Sequence, residues 1–316
     1  MLTRTAVSGS LVAVTALSVL GATTACGAGT AGSAAADGKV AVVTAFYPLQ
    51  FITERIGGDA VAVTNLTKPG AEPHDLELNA QQVGDVSTAG LVVYLKGFQP
   101  AVDEAVAQQA EDTAFDVSTV QPLLDAATDA HGHGHEEAAH EEGGGGKDPH
   151  VWLDPTRLAT IADRLAVRLG EADTAHAADY TARAATLRSD LETLDAEFTK
   201  KLTTCQRREI VTSHSAFNYL AQRYRLEQVG IVGLSPEAEP PAQRLAAVAE
   251  EAREHGTTTI FFETLVSPKI AETIARTVGA KTAVLDPLEG LTAPGGDYLS
   301  VMRTNLIALT TALGCS

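Results

Sequence analysis

Three of the nine histidines in this 316-residue chain stand where a ligand rather than a core filler is expected. His74 lies in the Pro/Gly-rich turn Pro-Gly-Ala-Glu-Pro-His-Asp, and His150 in Asp-Pro-His-Val-Trp-Leu-Asp-Pro, just before a helix start. His214 directly follows the apolar run Glu209–Ser213, and Asp286 follows the run Lys281–Leu285 in the same way. A lone His at a strand end is more often a hydrogen-bonded structural residue. Three of them with one Asp, drawn from both halves of the chain, change that balance: three imidazoles and a carboxylate make a four-coordinate N/O set that suits zinc. Ligand imidazoles must be neutral, so affinity is expected to fall below about pH 6.5, where free His titrates.

A second histidine group has a different character. The tract HGHGHEEAAHEEGGGGK, residues 131–147, carries His131, His133, His135 and His140 among four Glu and six Gly. It holds no apolar side chain larger than Ala, so it reads as a disordered loop that binds metal weakly. His176 and His255 lie in polar helical contexts and read as solvated residues.

The elements that must position these residues alternate between strand and helix. Strands are expected at Lys39–Thr44, Ala60–Leu66 and Leu91–Leu95, with helices near 47–57, 79–87 and 98–109. In the second half, strands are expected at Glu209–Ser213, Leu226–Ile231, Thr258–Glu263 and Lys281–Leu285, with helices near 215–224, 240–254, 267–278 and 297–313. Such alternation predicts an α/β fold of two lobes with mainly parallel sheets, residues 39–173 and 203–316. Ligands of such sheets gather at the carboxyl ends of strands, where His214, Glu263 and Asp286 fall. A metal site in the cleft between the lobes is therefore expected. Between them, Tyr180, Ala184, Leu187, Leu191, Leu194, Phe198 and Leu202 mark one face of an uninterrupted helix over 174–202. At 1.5 Å per residue it would run roughly 43 Å, enough for a rigid linking strut against both lobes.

Residues 1–25 have a basic start at Arg4, an apolar stretch from Ala6 to Leu20 and small residues before Cys26. This is the layout of a secretory signal peptide, too short in its apolar part for a membrane span. A Cys at that junction is the position acylated in bacterial lipoproteins, although Thr23 stands where Leu is usual. Ordinary cleavage near Ala25 with Cys26 unmodified is the alternative. Residues 26–38 read as a flexible Gly/Ala/Ser tether. The other two cysteines, Cys205 and Cys315, form an even pair in an oxidising compartment and point to a disulfide. The formal charge of −17 argues against a nucleic-acid partner.

The stretches PGAEPHDLELNAQQV, DPHVWLDP, IVTSHSAFNYLAQRY, GLSPEAEP, IFFETLVSPKIAETIA and AVLDPLEG occur in this order. Together they make the chain, from about Lys39 onward, resemble the zinc and manganese substrate-binding proteins of bacterial ABC importers, ZnuA-like in detail. The resemblance implies two α/β lobes joined by one long helix, and matches His74, His150, His214 and Asp286 to metal-ligand positions. It also implies a monomeric, extracytoplasmic, lipid-anchored protein that passes Zn2+ to a permease in the cytoplasmic membrane. Manganese relatives commonly carry Glu at the position of His214, so a nitrogen there favours zinc. Glu263, in Phe-Phe-Glu-Thr, also matches a recurrent family residue, with the implied role of orienting a ligand His rather than binding metal.

Other readings share some of these residues. His74-Asp75-Leu76-Glu77 has the H-x-x-E form seen in some zinc hydrolases, but the pattern is short, and four protein ligands would close the position a catalytic zinc leaves to water. A manganese-binding member of the same family, and a surface adhesin or zinc buffer without a transporter, would use the same site.

Overall fold

The computed structural model describes residues 38–126, 146–291 and 296–316. The expected leader, its Cys26, nearly all of the tether and the four loop histidines His131, His133, His135 and His140 lie outside these residues. Among the described residues, no helix is long and apolar enough to cross a membrane.

The first lobe is built from β1 (Val40–Thr44), α1 (Tyr47–Gly57), β2 (Val61–Asn65), α2 (Ala80–Thr88), β3 (Leu91–Tyr94), α3 (Pro100–Gln109) and β4 (Ala114–Asp116). Its four strands form a parallel sheet in the order β2-β1-β3-β4. Local chemistry sets the helix starts: Asn79 caps α2 through a reciprocal capping box with Gln82, and Pro100 occupies the first turn of α3.

Two helices follow. α4 (Pro155–Ala172) begins where Asp154 accepts a hydrogen bond from the Thr156 amide and Pro155 takes the first position, and it buries Leu158, Ile161, Leu165 and Leu169. After the short turn 173–176 the chain reverses into α5 (Ala177–Leu202), which packs along α4 as a helical hairpin. At 1.5 Å per residue α5 is about 39 Å long. Its buried residues are the seven whose spacing predicted the strut. One face thus touches α1 of the first lobe as well as elements of the second. Ion pairs flank it, Arg55 with Asp190 at 2.6 Å and Arg303 with Glu197 at 2.9 Å. Such half-exposed pairs contribute only about 0–1 kcal/mol each, so the apolar stripe holds the strut.

The second lobe contains β5 (Glu209–Thr212), α6 (Asn218–Tyr224), β6 (Glu227–Gly230), α7 (Ala242–Glu254), β7 (Thr259–Phe262), α8 (Lys269–Val278), β8 (Lys281–Val284) and α9 (Tyr298–Leu313). Its sheet is again parallel, ordered β6-β5-β7-β8. Gly230, ending β6, has no room for a side chain: a Cβ there would lie 2.1 Å from Ser215 Oγ, the residue after His214.

Two apolar cores result. The larger runs from Phe46, Ile52 and Val93 through Leu165, Leu187 and Phe198 to Tyr219, Phe261, Tyr298 and Leu309, so it crosses both lobes. The smaller lies under α7 and α8 and holds Val211, Ile231, Val248, Ile260 and Ile274. Cys205, just beyond α5, and Cys315, just beyond α9, are joined by a disulfide. The Ser316 amide donates to Thr204 O at 3.1 Å beside it, so the C-terminus is stapled to the entrance of the second lobe.

Candidate metal centre

Each imidazole enters the cleft from a segment with its own local restraint. His74 lies in the irregular stretch between β2 and α2, where its amide donates to both Glu72 carboxylate oxygens at 3.0 and 3.1 Å. Its ring sits edge-on to Phe98, with centroids 4.6 Å apart. His150 stands in the tight turn ahead of α4. Its amide and its Nδ1 both reach Asp148 Oδ1, at 3.0 and 2.8 Å. His214 follows β5, its carbonyl accepting from Thr212 Oγ1 at 2.7 Å and Gln228 Nε2 at 3.1 Å. Its Nδ1 lies 2.7 Å from Glu263 Oε1, an oxygen that also accepts from Ser213 Oγ at 2.7 Å. With Nδ1 donating to a carboxylate in both His150 and His214, each ring turns Nε2 into the cleft.

The three inward nitrogens converge on one carboxylate oxygen. Glu289 Oε1 is 3.3 Å from His74 Nε2, 3.0 Å from His150 Nε2 and 3.3 Å from His214 Nε2, and the last two nitrogens are 3.4 Å apart. A tetrahedral ion with bonds of 2.0–2.1 Å separates its ligand atoms by about 3.3 Å. One ligand atom from each of the four residues lies within 4.8 Å of the others, so these residues could hold a zinc-sized ion.

The fourth position differs from the sequence expectation, which placed Asp286 there. Asp286 lies outside the converging group: Oδ1 accepts from the Leu288 amide at 2.8 Å, and Oδ2 from Thr264 Oγ1 at 3.3 Å. The physical reason is the turn after β8, where Leu288 takes a left-handed backbone (φ 61°) and carries the chain onward so that Glu289 faces the imidazoles. Asp148, against His150, was likewise not singled out by sequence reasoning, although a carboxylate two residues before a ligand-like His was a usable signal. His176 and His255 are half-exposed, beside Asp173 and Glu209.

The site is buried and its charges are coupled. His150, His214, Glu263 and Glu289 are each no more than 2% exposed, and His74 is the most accessible of the set. Burial opposes a charge on His214, but the carboxylates of Glu263 and Glu289 outweigh it and push its pKa up to about 10. His150 is raised too, where burial is outweighed by Asp148 and Glu289. Burial would raise Glu289, yet its contacts with His214, His150 and His74 hold it well below the usual carboxylate range. Glu289 Oε2, on the carboxylate that the three imidazoles approach, is buried without a hydrogen-bond partner, an acceptor that a divalent cation could satisfy.

This geometry, drawn from both lobes, could hold a cation. The family model described as zinc-uptake complex component A, periplasmic (ZnuA), matches residues 42–312. The chain belongs to the ZnuA family. It is 37% identical over 288 residues to the zinc-binding protein AdcA of Streptococcus pyogenes, a match covering 87% of this chain and 56% of that relative. The chain thus spans about half the length of the AdcA proteins. It is 34% identical over 299 residues to the high-affinity zinc uptake system protein ZnuA of Bacillus subtilis, covering 92% of this chain and 93% of that one. Among solved structures, the Zn(II)-bound ZnuA-like domain of Streptococcus pneumoniae AdcA superposes with a TM-score of 0.72 at 32% identity, over 87% of this chain and 99% of that one. The paired parallel sheets are thus the ZnuA fold.

Proposed function

We propose that this protein captures Zn2+ outside the cytoplasm and passes it to the permease of an ABC-type zinc importer. The observation that carries the reading is the convergence of three imidazole nitrogens on Glu289 Oε1 at tetrahedral edge distances. His74, His150, His214 and Glu289 are the ligands, with Glu289 in the place expected of Asp286. Asp148 and Glu263 fix the Nδ1–H tautomers of His150 and His214 and strengthen them as donors. Because His74 and His150 come from the first half of the chain and His214 and Glu289 from the second, a displacement between the lobes would pull the ligand set apart and release the ion. Acylation of Cys26 would tether the protein beside its permease.

The experiment is metal analysis of protein purified without a polyhistidine tag, followed by zinc titration under a competing chelator. One zinc per chain is expected, with affinity reduced more than about 100-fold in His74→Ala and His214→Ala, beyond the usual cost of losing an outer-shell partner. At free zinc 1,000 times Kd, binding adds about 4.1 kcal/mol to wild-type stability, and most of that should vanish in both variants. An unchanged thermal shift in both would remove these residues from the site. Cells lacking the protein should regain high-affinity zinc uptake with the wild type and not with His214→Ala. Full uptake with that variant would refute the transport role.

A further inference from the structure

The carboxylate at the centre of the cluster is delivered by an unusual piece of backbone. Leu288, the residue before Glu289, has φ 61° and no exposed surface. The left-handed region is unfavourable for any residue with a Cβ, and a buried leucine persists there only when its surroundings impose it. The surroundings are specific. Asp286 Oδ1 accepts from the Leu288 amide at 2.8 Å. Asn305, buried on α9, clamps Asp286 from both sides: its Oδ1 accepts from the Asp286 amide at 2.9 Å, and its Nδ2 donates to the Asp286 carbonyl at 2.7 Å. Trp152 Nε1 donates to the Pro287 carbonyl at 2.7 Å, which ties the same turn to the segment carrying His150.

We propose that Asp286 and Asn305 are positioning residues that lock the turn 286–289 in the one conformation that brings Glu289 to the three imidazoles. Asp286 acts through the hydrogen bond its Oδ1 accepts from the Leu288 amide, not through its charge and not as a metal ligand. This rests on the zinc-binding reading above. The need is geometric: a site of this kind tolerates about 0.5 Å of displacement, and a right-handed Leu288 would swing the next side chain away from the cleft. Held by two side chains and a tryptophan, the turn is preformed.

Zinc affinity and the visible spectrum of the cobalt(II)-substituted protein are compared among the wild type, Asp286→Ala, Asp286→Asn and Asn305→Leu. Circular dichroism and melting of the metal-free proteins identify any variant that fails to fold. The expectation for Asp286→Ala and Asn305→Leu is a fold with weakened zinc binding, by about 10–100-fold, and a cobalt spectrum departing from the four-coordinate form. Asparagine at 286 keeps the Oδ1 acceptor for the Leu288 amide, loses the charge and offers an NH2 to the Thr264 hydroxyl, which can accept instead of donating, so it should rescue both readouts towards wild type. An Asp286→Asn loss as large as that of Asp286→Ala would overturn the proposal in favour of a charge or ligand role. Wild-type affinity and spectrum in Asp286→Ala would overturn it as well, and a folding defect alone would move melting without moving the cobalt spectrum. If the wild type itself bound no zinc, the proposed function would fail first, and that outcome is distinct from the others.

Discussion

His214 Nδ1 and Glu263 Oε1 lie 2.7 Å apart with neither side chain more than 1% exposed, so the pair shares a proton away from water. On the other side of the ring, Nε2 meets Glu289. A proton on His214 and an ion in the cleft therefore compete for the same nitrogen.

That competition sets the pH dependence. Free His predicts a plateau in zinc affinity above about pH 6.5. With His214 raised to about 10, the metal-free site remains protonated at neutral pH, and zinc must displace that proton. Apparent affinity should therefore keep rising between pH 6 and 9, by about tenfold per unit for each proton displaced. For the metal-free protein the sign is opposite: a raised His contributes stability that is complete below about pH 6.5 and lost as pH rises through about 10. Chelator competition at several pH values, with calorimetry in buffers of different ionisation enthalpy, checks the first; melting of metal-free protein checks the second. A flat affinity above pH 7 would count against the coupled pair.

Selectivity can be tested at the same residue. His214→Glu exchanges a nitrogen for a hard oxygen and should shift preference from zinc towards manganese. It also sets a third carboxylate between Glu263 and Glu289, so affinity for both metals should drop. Adding Glu263→Gln should recover part of that loss while keeping the shift. Competitive titration of both metals decides; an unmoved zinc-to-manganese ratio would mean that His214 is not the selectivity element.

The disulfide closes a loop of 110 positions. The chain-entropy account assigns such a loop about 4.7 kcal/mol, less any native strain. Cys205→Ser with Cys315→Ser should lower the melting temperature substantially and leave zinc affinity within a few-fold of wild type. Thermal unfolding with and without zinc measures both, and an unchanged melting temperature would remove the staple from the stability of the fold.

The histidine-rich segment leaves the described structure at a closed base. The Ala126 amide donates to Gly146 O at 3.0 Å, the Asp148 amide to Leu124 O at 2.9 Å, and Lys147 pairs with Asp125 at 2.5 Å. Replacing residues 127–145 with Asn-Gly, a turn suited to an antiparallel pair, should leave the fold intact. A calorimetric titration should then show the tight zinc site unchanged and weaker uptake lost. Disappearance of the tight phase would mean that the segment supplies a ligand.

Much of this was legible because apolar periodicity is a local signal. The strand expected at Glu209–Ser213 is β5, Glu209–Thr212, and the seven apolar positions of the strut are the seven that α5 buries. The three-residue β4 was too short for any pattern to mark. α4 announced its start through Asp154 and Pro155, but its extent was not read. Ligand-like histidines stood out by residue type and position. Glu289 did not, because its place depends on the left-handed backbone of Leu288, and no feature of Leu-Asp-Pro-Leu-Glu-Gly singles out a leucine for that conformation.

The two cores have a consequence for motion. The larger joins both lobes to the strut, whereas α7 and α8 are backed by the smaller one alone. The second lobe is therefore divided within itself: its inner half, with α6 and α9, opens only when the whole molecule opens, and its outer half can loosen by itself. Amide exchange would show this as two tiers. The slow tier would take in α1, α4, α5, α6 and α9 across the lobe boundary, and α7 and α8 would exchange ahead of it.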